Sequence, residues 1–313
     1  MLSMGDIYRM LGNFDLAAIR YSEAADLARK YRKMILAADA QLGLALSLRA
    51  QGKWKEAIKL TRSSRREYRR KSDREGFAFS LWAEAGALRI KGRILEAIKI
   101  FKSSLKMFKA LKNTQGVGFC LCGLGGTTRV AGRFRDSLKY YYAANNLFSN
   151  TKDTFGLAYS FCGIGNAFRM MGDYRRAFIN FKKATRLYDK IGDRVSYSYT
   201  LWSLGTTYKM MGEIKKAYDN FIKAMGIFKK TKDSRGIIYC RLGLGELYFL
   251  DGKKTKAIRQ LKGALYESVQ NGFDVEKCYA KTIISFINSN FDKRCYNRLG
   301  LKLKFQGLPL NIP

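Results

Sequence analysis

Ile-Gly-Asn-Ala-Phe-Arg-Met-Met-Gly-Asp-Tyr-Arg-Arg-Ala-Phe-Ile-Asn-Phe-Lys-Lys-Ala, residues 164–184, is the phrase from which the chain is built. Its Gly172 recurs as Gly12, Gly52, Gly92, Gly132, Gly212 and Gly252, always 40 residues apart. An unbroken period of that length means stacked supersecondary units, each burying its apolar face only against its neighbours. The 313-residue length alone would suggest two domains. The period overrules it and predicts one continuous solenoid.

Each unit reads as two amphipathic helices joined by a turn at the glycine. Seven residues before that glycine stands a small residue: Gly5, Ala45, Ala85, Gly125, Gly165, Gly205, Gly245. Five after it come Ala17, Ala57, Ala97, Ser137, Ala177, Ala217 and Ala257, and seven later another small column from Ala24 to Ala264. Between the last two lies a mostly large column: Tyr21, Thr61, Phe101, Tyr141, Phe181, Phe221, Leu261. Small columns let helix axes approach closely, and the large column fills the space beside them. At the junctions Asp73, Asn113, Asp153, Asp193 and Asp233 stand where an N-cap belongs.

These columns resemble the tetratricopeptide repeat, and repeat six carries the pattern best: Leu201, Leu204-Gly205, Tyr208, Gly212, Ala217, Phe221, Ala224. Leu stands where the pattern has Trp, the closing Pro is absent, and the period is six residues longer than the usual 34. The length and the phrase Ile164-Gly165-Asn166 are similar to the long-repeat subgroup of Leu-Gly-Asn scaffolds and some bacterial regulators. The resemblance implies an all-α, right-handed α-solenoid of seven hairpins. The reading places a single solenoid at residues 1–290, with a capping helix at about 276–290 where Asp292 replaces the turn glycine. A basic tail, 291–313, follows. It is open to three readings: disorder, packing on the cap, or an extended peptide ligand for a groove.

Chemistry is sparse. There is no histidine, so the commonest general base and metal ligand is missing. The six cysteines, Cys120, Cys122, Cys162, Cys240, Cys278 and Cys295, contain no Cys-x-x-Cys pair. They read as small buried residues of a reducing compartment. The phrase Gly123-Leu124-Gly125-Gly126 lacks the strand and spacing of a phosphate loop, and its glycines lie on packing columns. No run of 18 apolar residues offers a membrane span, and Met1 falls inside the first helix, leaving no room for a leader. The expectation is a cytoplasmic, non-catalytic protein with no cofactor and no metal.

Charge is the distinctive feature. Lys and Arg number 59 against 25 acids, a formal charge of +34. Part of it is ordered: Arg9, Arg49, Arg89, Arg129, Arg169 and Lys209 each stand three residues before a turn glycine. By the resemblance, this position and those three, seven and ten residues before it face the concave groove. The farthest is aromatic from repeat three on, as Phe79, Phe119, Tyr159, Tyr199 and Tyr239; Trp82, Trp202 and Asn166 join the lining. The plainer account is that a cation in the last turn of a helix gains about 0.3–1 kcal/mol from the dipole whether or not a ligand exists. Helix ends alone do not need so large a charge, which favours a scaffold or adaptor gripping an extended acidic peptide or protein segment with surface-exposed cations. The alternative is a sequence-tolerant solenoid for nucleic acid (RNA) or an anionic surface, in which Arg grips phosphates and aromatics stack bases.

Overall fold

Two seventeen-residue helices and two three-residue connections fill the period, which is why it is 40 rather than 34. The computed structural model describes residues 1–290, 294–301 and 307–313. The first hairpins are Leu2–Met10 (α1) with Phe14–Lys30 (α2), Met34–Ala50 (α3) with Trp54–Arg70 (α4), and Arg74–Lys91 (α5) with Ile94–Ala110 (α6). Thr114–Val130 (α7) pairs with Phe134–Asn150 (α8), and Thr154–Met170 (α9) with Tyr174–Ile191 (α10). Arg194–Met210 (α11) and Ile214–Lys230 (α12), then Ser234–Leu250 (α13) and Lys254–Gln270 (α14), complete the seven. Asp274–Ile287 (α15) and the short Arg294–Arg298 (α16) follow, and the described residues contain no strand. The architecture is an all-α solenoid of repeated hairpins.

The stacking rests on the alternation of large and small columns. Tyr141 of α8 lies between Gly125 of its own hairpin and Gly163 of the next. A Cβ on Gly125 would stand 2.7 Å from the ring, and one on Gly163 would overlap it outright. All seven turn glycines have positive φ, from 71° at Gly252 to 96° at Gly92. At the junctions the cap side chains accept the N–H three residues on: Asp73 from Gly76 at 2.8 Å, Asn113 from Gly116 at 2.7 Å, Asp153 from Gly156 at 2.8 Å, Asp193 from Ser196 at 2.9 Å and Asp233 from Gly236 at 2.8 Å. The residue before each cap is left-handed too, including Ser72, Lys112, Lys152 and Lys232, which have side chains at a φ that favours glycine.

The solenoid also winds onto itself. Trp54 donates its indole N–H to the Asn271 carbonyl at 3.0 Å, and Lys232 reaches the Asp15 carboxylate at 2.6 Å, each bridging 217 positions of sequence. Gly12 faces Val195 and Thr231, Gly52 faces Phe273, and Gly92 faces Asp274 and Val275. The early turn loops thus sit on the late junctions. The concave face becomes an internal channel rather than a trough.

One sequence expectation is corrected here. The cysteines are not uniformly free thiols, because Cys278 of α15 and Cys295 of α16 form a disulfide with Cα atoms 5.4 Å apart. Cys120, Cys122 and Cys240 are buried and Cys162 half-buried, all four unpaired. Among the described residues no helix is long and apolar enough to cross a membrane.

Three outcomes follow from this packing. Gly163→Ala, which forces Tyr141 out of its slot, should cost roughly 1–3 kcal/mol in chemical denaturation, as should Ala177→Leu at a fully buried column. Lys112→Gly should leave stability unchanged or raise it by about 1 kcal/mol, by releasing left-handed strain. Replacing Cys278 and Cys295 by Ala should remove about 2–4 kcal/mol, with hydrogen exchange speeding up first in α15, since repeat stability is local.

Candidate functional site

The first helices carry the functional columns, and the period divides them among three environments. Arg49, Arg89 and Arg129, at the ends of α3, α5 and α7, line one cavity of about 290 Å³. Tyr159, Asn166, Tyr199, Trp202 and Tyr239 form the rest of its wall, together with Pro313. Eight of the fourteen residues singled out from the sequence meet there.

What holds the guanidinia is small neighbours. Arg49 lies over Gly86, where a Cβ would run into its Nη1, and Arg89 lies over Gly126, where a Cβ would come within 2.6 Å of its Nη1. Each glycine is one residue past the small packing column of the next repeat. Two adjacent requirements therefore produce the Gly125-Gly126 pair, one for the Tyr141 ring and one for Arg89. Arg49 also sits over the Trp82 ring at 5.4 Å.

No carboxylate within ion-pairing distance is described for Arg49, Arg89 or Arg129. The Nε atoms of Arg89 and Arg129 are buried without a hydrogen-bond partner. Burial first, then the charge of Arg89, work against the ionised form of Arg49. A guanidinium nevertheless keeps its proton at physiological pH. The cavity therefore holds a row of like charges whose repulsion a bound anion would relieve. Burial keeps the Tyr199 and Tyr239 phenols protonated, and the one acid in the lining, Asp233, accepts from Tyr199 at 3.1 Å and pairs with none of the three guanidinia.

The second environment is a wider cavity of about 600 Å³, lined by Arg9, Phe79, Trp82 and Phe119. Here the ladder changes character. Arg9 pairs with Asp6 at 3.3 Å, and Asp39, Asp73 and Glu75 join the lining. Phe79 and Trp82 stack at 5.2 Å between centroids. The basic row therefore does not run the length of the concave face.

The third environment corrects the expectation of an exposed ladder. Arg169 and Lys209 are 0% and 1% exposed. Lys209 is ion-paired with Glu246 of α13, itself fully buried. Arg169 Nη2 donates to Asn166 Oδ1 at 3.0 Å and to the Ile312 carbonyl at 2.8 Å, while its Nη1 donates to Asn311 Oδ1. Lys209 Nζ donates to the Leu310 carbonyl at 2.9 Å. Of the three readings left open for the tail, its last residues lie in the groove, with the Ile312 N–H turning back to the Leu310 carbonyl at 3.1 Å; positions 291–293 and 302–306 lie outside the described residues.

Two of the aromatic positions do structural work. Trp82 and Trp202, three repeats apart, make the same bond to the next repeat, donating to the carbonyls of Phe119 at 3.2 Å and Tyr239 at 3.1 Å. Tyr239 also donates to Glu276 at 2.8 Å, which holds Arg235 at 2.6 Å. The residue that sequence reasoning missed is Glu246. Its signal was present, because its column otherwise holds Asp6, Leu46, Gly86, Gly126, Asn166 and Thr206, and it faces the cation of the preceding repeat. Arg62 and Arg65, on α4, both hold the buried Glu84, at 2.7 and 2.6 Å. Among the described residues no group of three His, Cys, Asp or Glu converges to hold a metal.

Comparison with known proteins places this geometry. Residues 39–69 match a tetratricopeptide repeat family model. No curated protein matches the sequence. Among solved structures, the chain is similar to the Rap conjugation gene regulator of the plasmid pLS20 in complex with the Phr* peptide, at 16% identity, covering 86% of this chain and 73% of that one with a TM-score of 0.71. It is similar to aspartyl phosphate phosphatase F from Bacillus subtilis at 14% identity, covering 85% and 68%, TM-score 0.65. A Rap protein complexed with Competence and Sporulation Factor matches at 14% identity, 81% and 75% coverage, TM-score 0.60. Identities this low speak to fold alone. Taken with the repeat columns, the left-handed turn glycines and the stacked hairpins, they show that the chain has a fold of tetratricopeptide-type helical repeats, with one repeat matched by the family model.

Proposed function

We propose that the protein is a non-catalytic interaction scaffold that takes an extended, acidic peptide or protein segment into its internal channel. One observation carries this reading: three guanidinia without carboxylate partners, Arg49, Arg89 and Arg129, face an aromatic-walled cavity that a segment of the chain itself already enters at Pro313. Successive repeats set the cations in register, so an extended ligand meets one per repeat. The reading draws support from two similar structures whose titles describe a Rap protein with Competence and Sporulation Factor and a Rap regulator with a Phr* peptide. Each charge-assisted contact contributes about 1.5–3 kcal/mol, less where water reaches it.

The test is binding of a labelled, short Glu-rich peptide. Changing Arg49, Arg89 and Arg129 together to Gln should weaken binding by about a hundredfold or more, with melting no lower than the parent's, because the neutral side chains remove the like-charge repulsion. Arg169 is left out of this set because it is buried and bonded. Reversing the exposed outer residues Arg66 and Arg69 should have little effect. A nucleic-acid ligand behaves otherwise: both sets weaken binding, and affinity falls steeply with salt. Unchanged peptide binding in the channel variant would reduce the row to helix-end decoration.

A further inference from the structure

The buried end of the ladder reads a peptide chemistry of its own. Leu310 is held by both of its backbone groups, its N–H on Glu246 Oε1 at 2.6 Å and its carbonyl on Lys209 Nζ at 2.9 Å. A single ion pair thus offers the donor and acceptor that a neighbouring strand would offer. Asn311 is held through its side chain, its Oδ1 accepting from Arg169 Nη1 and its Nδ2 donating to the Arg169 carbonyl at 3.0 Å. One residue therefore satisfies both the donor and the acceptor of an amide. Asp in place of Asn would lose the donor, and an aliphatic side chain would lose both. Leu310 and Ile312 are 3% and 1% exposed, so aliphatic side chains flank the amide.

Part of the seat's bonding survives when the segment leaves. Lys209 keeps Glu246, and Arg169 keeps Asn166 at 3.0 Å. The bonds to residues 310–312 can pass to water or to another chain, so occupancy is exchangeable. The segment also has a direction. Leu310 lies at repeats six and seven, Asn311 and Ile312 at Arg169 of repeat five, and Pro313 in the cavity of Arg129, Arg89 and Arg49. A peptide in this register that continued past the position of Pro313 would next reach the unpaired cations.

We propose that Arg169, Lys209 and Glu246 form a seat for an aliphatic–Asn–aliphatic peptide, that residues 310–312 fill it in cis, and that the ligand in trans is an extended peptide carrying this pattern followed by acidic residues. The proposal rests on the channel being a peptide site. It adds that the cis segment competes with the ligand, at an effective concentration on the order of millimolar for a short tether.

The experiment uses the full chain and a labelled peptide, Gly-Leu-Pro-Leu-Asn-Ile-Pro-Glu-Glu, followed by fluorescence anisotropy. Asn311→Ala alone, and Leu310→Asp with Asn311→Ala, should bind it about tenfold or more tightly than the parent, because the competitor is unseated. The same peptide with Asn replaced by Leu should bind all three chains weakly. Equal affinity of the parent and both variants, or equal affinity for the two peptides, overturns the seat. So does a parent that sediments as a dimer and dissociates on Asn311→Ala, since a second copy would then be the donor. The mild single substitution guards against a double variant that misfolds. The Glu-rich probe separates the two readings. If it binds while the two peptides are indistinguishable, the acidic channel stands and the seat falls; if only the Asn peptide binds, the reverse holds.

Discussion

The structure depends on a ring held between two small residues. In all but the second hairpin a large side chain of the second helix fills the gap between two first helices, as Tyr141 does between Gly125 and Gly163. The contact sets how closely neighbouring units approach and by how much each is rotated from the last. Because packed interiors tolerate neither voids nor overlap, the same choice made repeatedly accumulates into one regular superhelix. Leu261 in that column shows that filling the space matters more than aromatic character.

Accumulated rotation brings the beginning of the chain against its end. Trp54 meeting Asn271 and Lys232 meeting Asp15 convert a line of nearest-neighbour contacts into a closed circuit. Closure turns a concave face into a channel with less access to water, and this changes the meaning of every charge inside. A guanidinium on an open face is screened and hydrated. In the channel it demands a partner. Lys209 finds one in Glu246, and Arg169 finds Asn166, Asn311 and the Ile312 carbonyl. Arg49 and Arg89 lie over glycines and pair with no carboxylate. One sequence column thus yields two kinds of site.

The disulfide and the 307–313 segment belong to the same end. Cys278–Cys295 ties α16 to α15, which packs beside α13, the helix that carries Glu246. The segment that enters the channel is thereby tethered near its seat, and a short tether favours a cis contact over one made in trans.

The sequence by itself determined whatever depends on near neighbours in the chain. The period, the paired helices, the turn glycines and the caps at Asp73, Asn113, Asp153, Asp193 and Asp233 were legible because each is decided within a few residues and repeated. The basic column was legible as a column for the same reason. Which of its members are paired was decided by tertiary structure alone, since Arg169 meets residues 142 and 143 positions away and Lys209 one 101 away. The same holds for the Cys278–Cys295 bond, for the acids that surround Arg9, and for the channel itself. Each arises from the small rotation per repeat summed over the whole solenoid. No local pattern encodes where that sum brings two distant segments together.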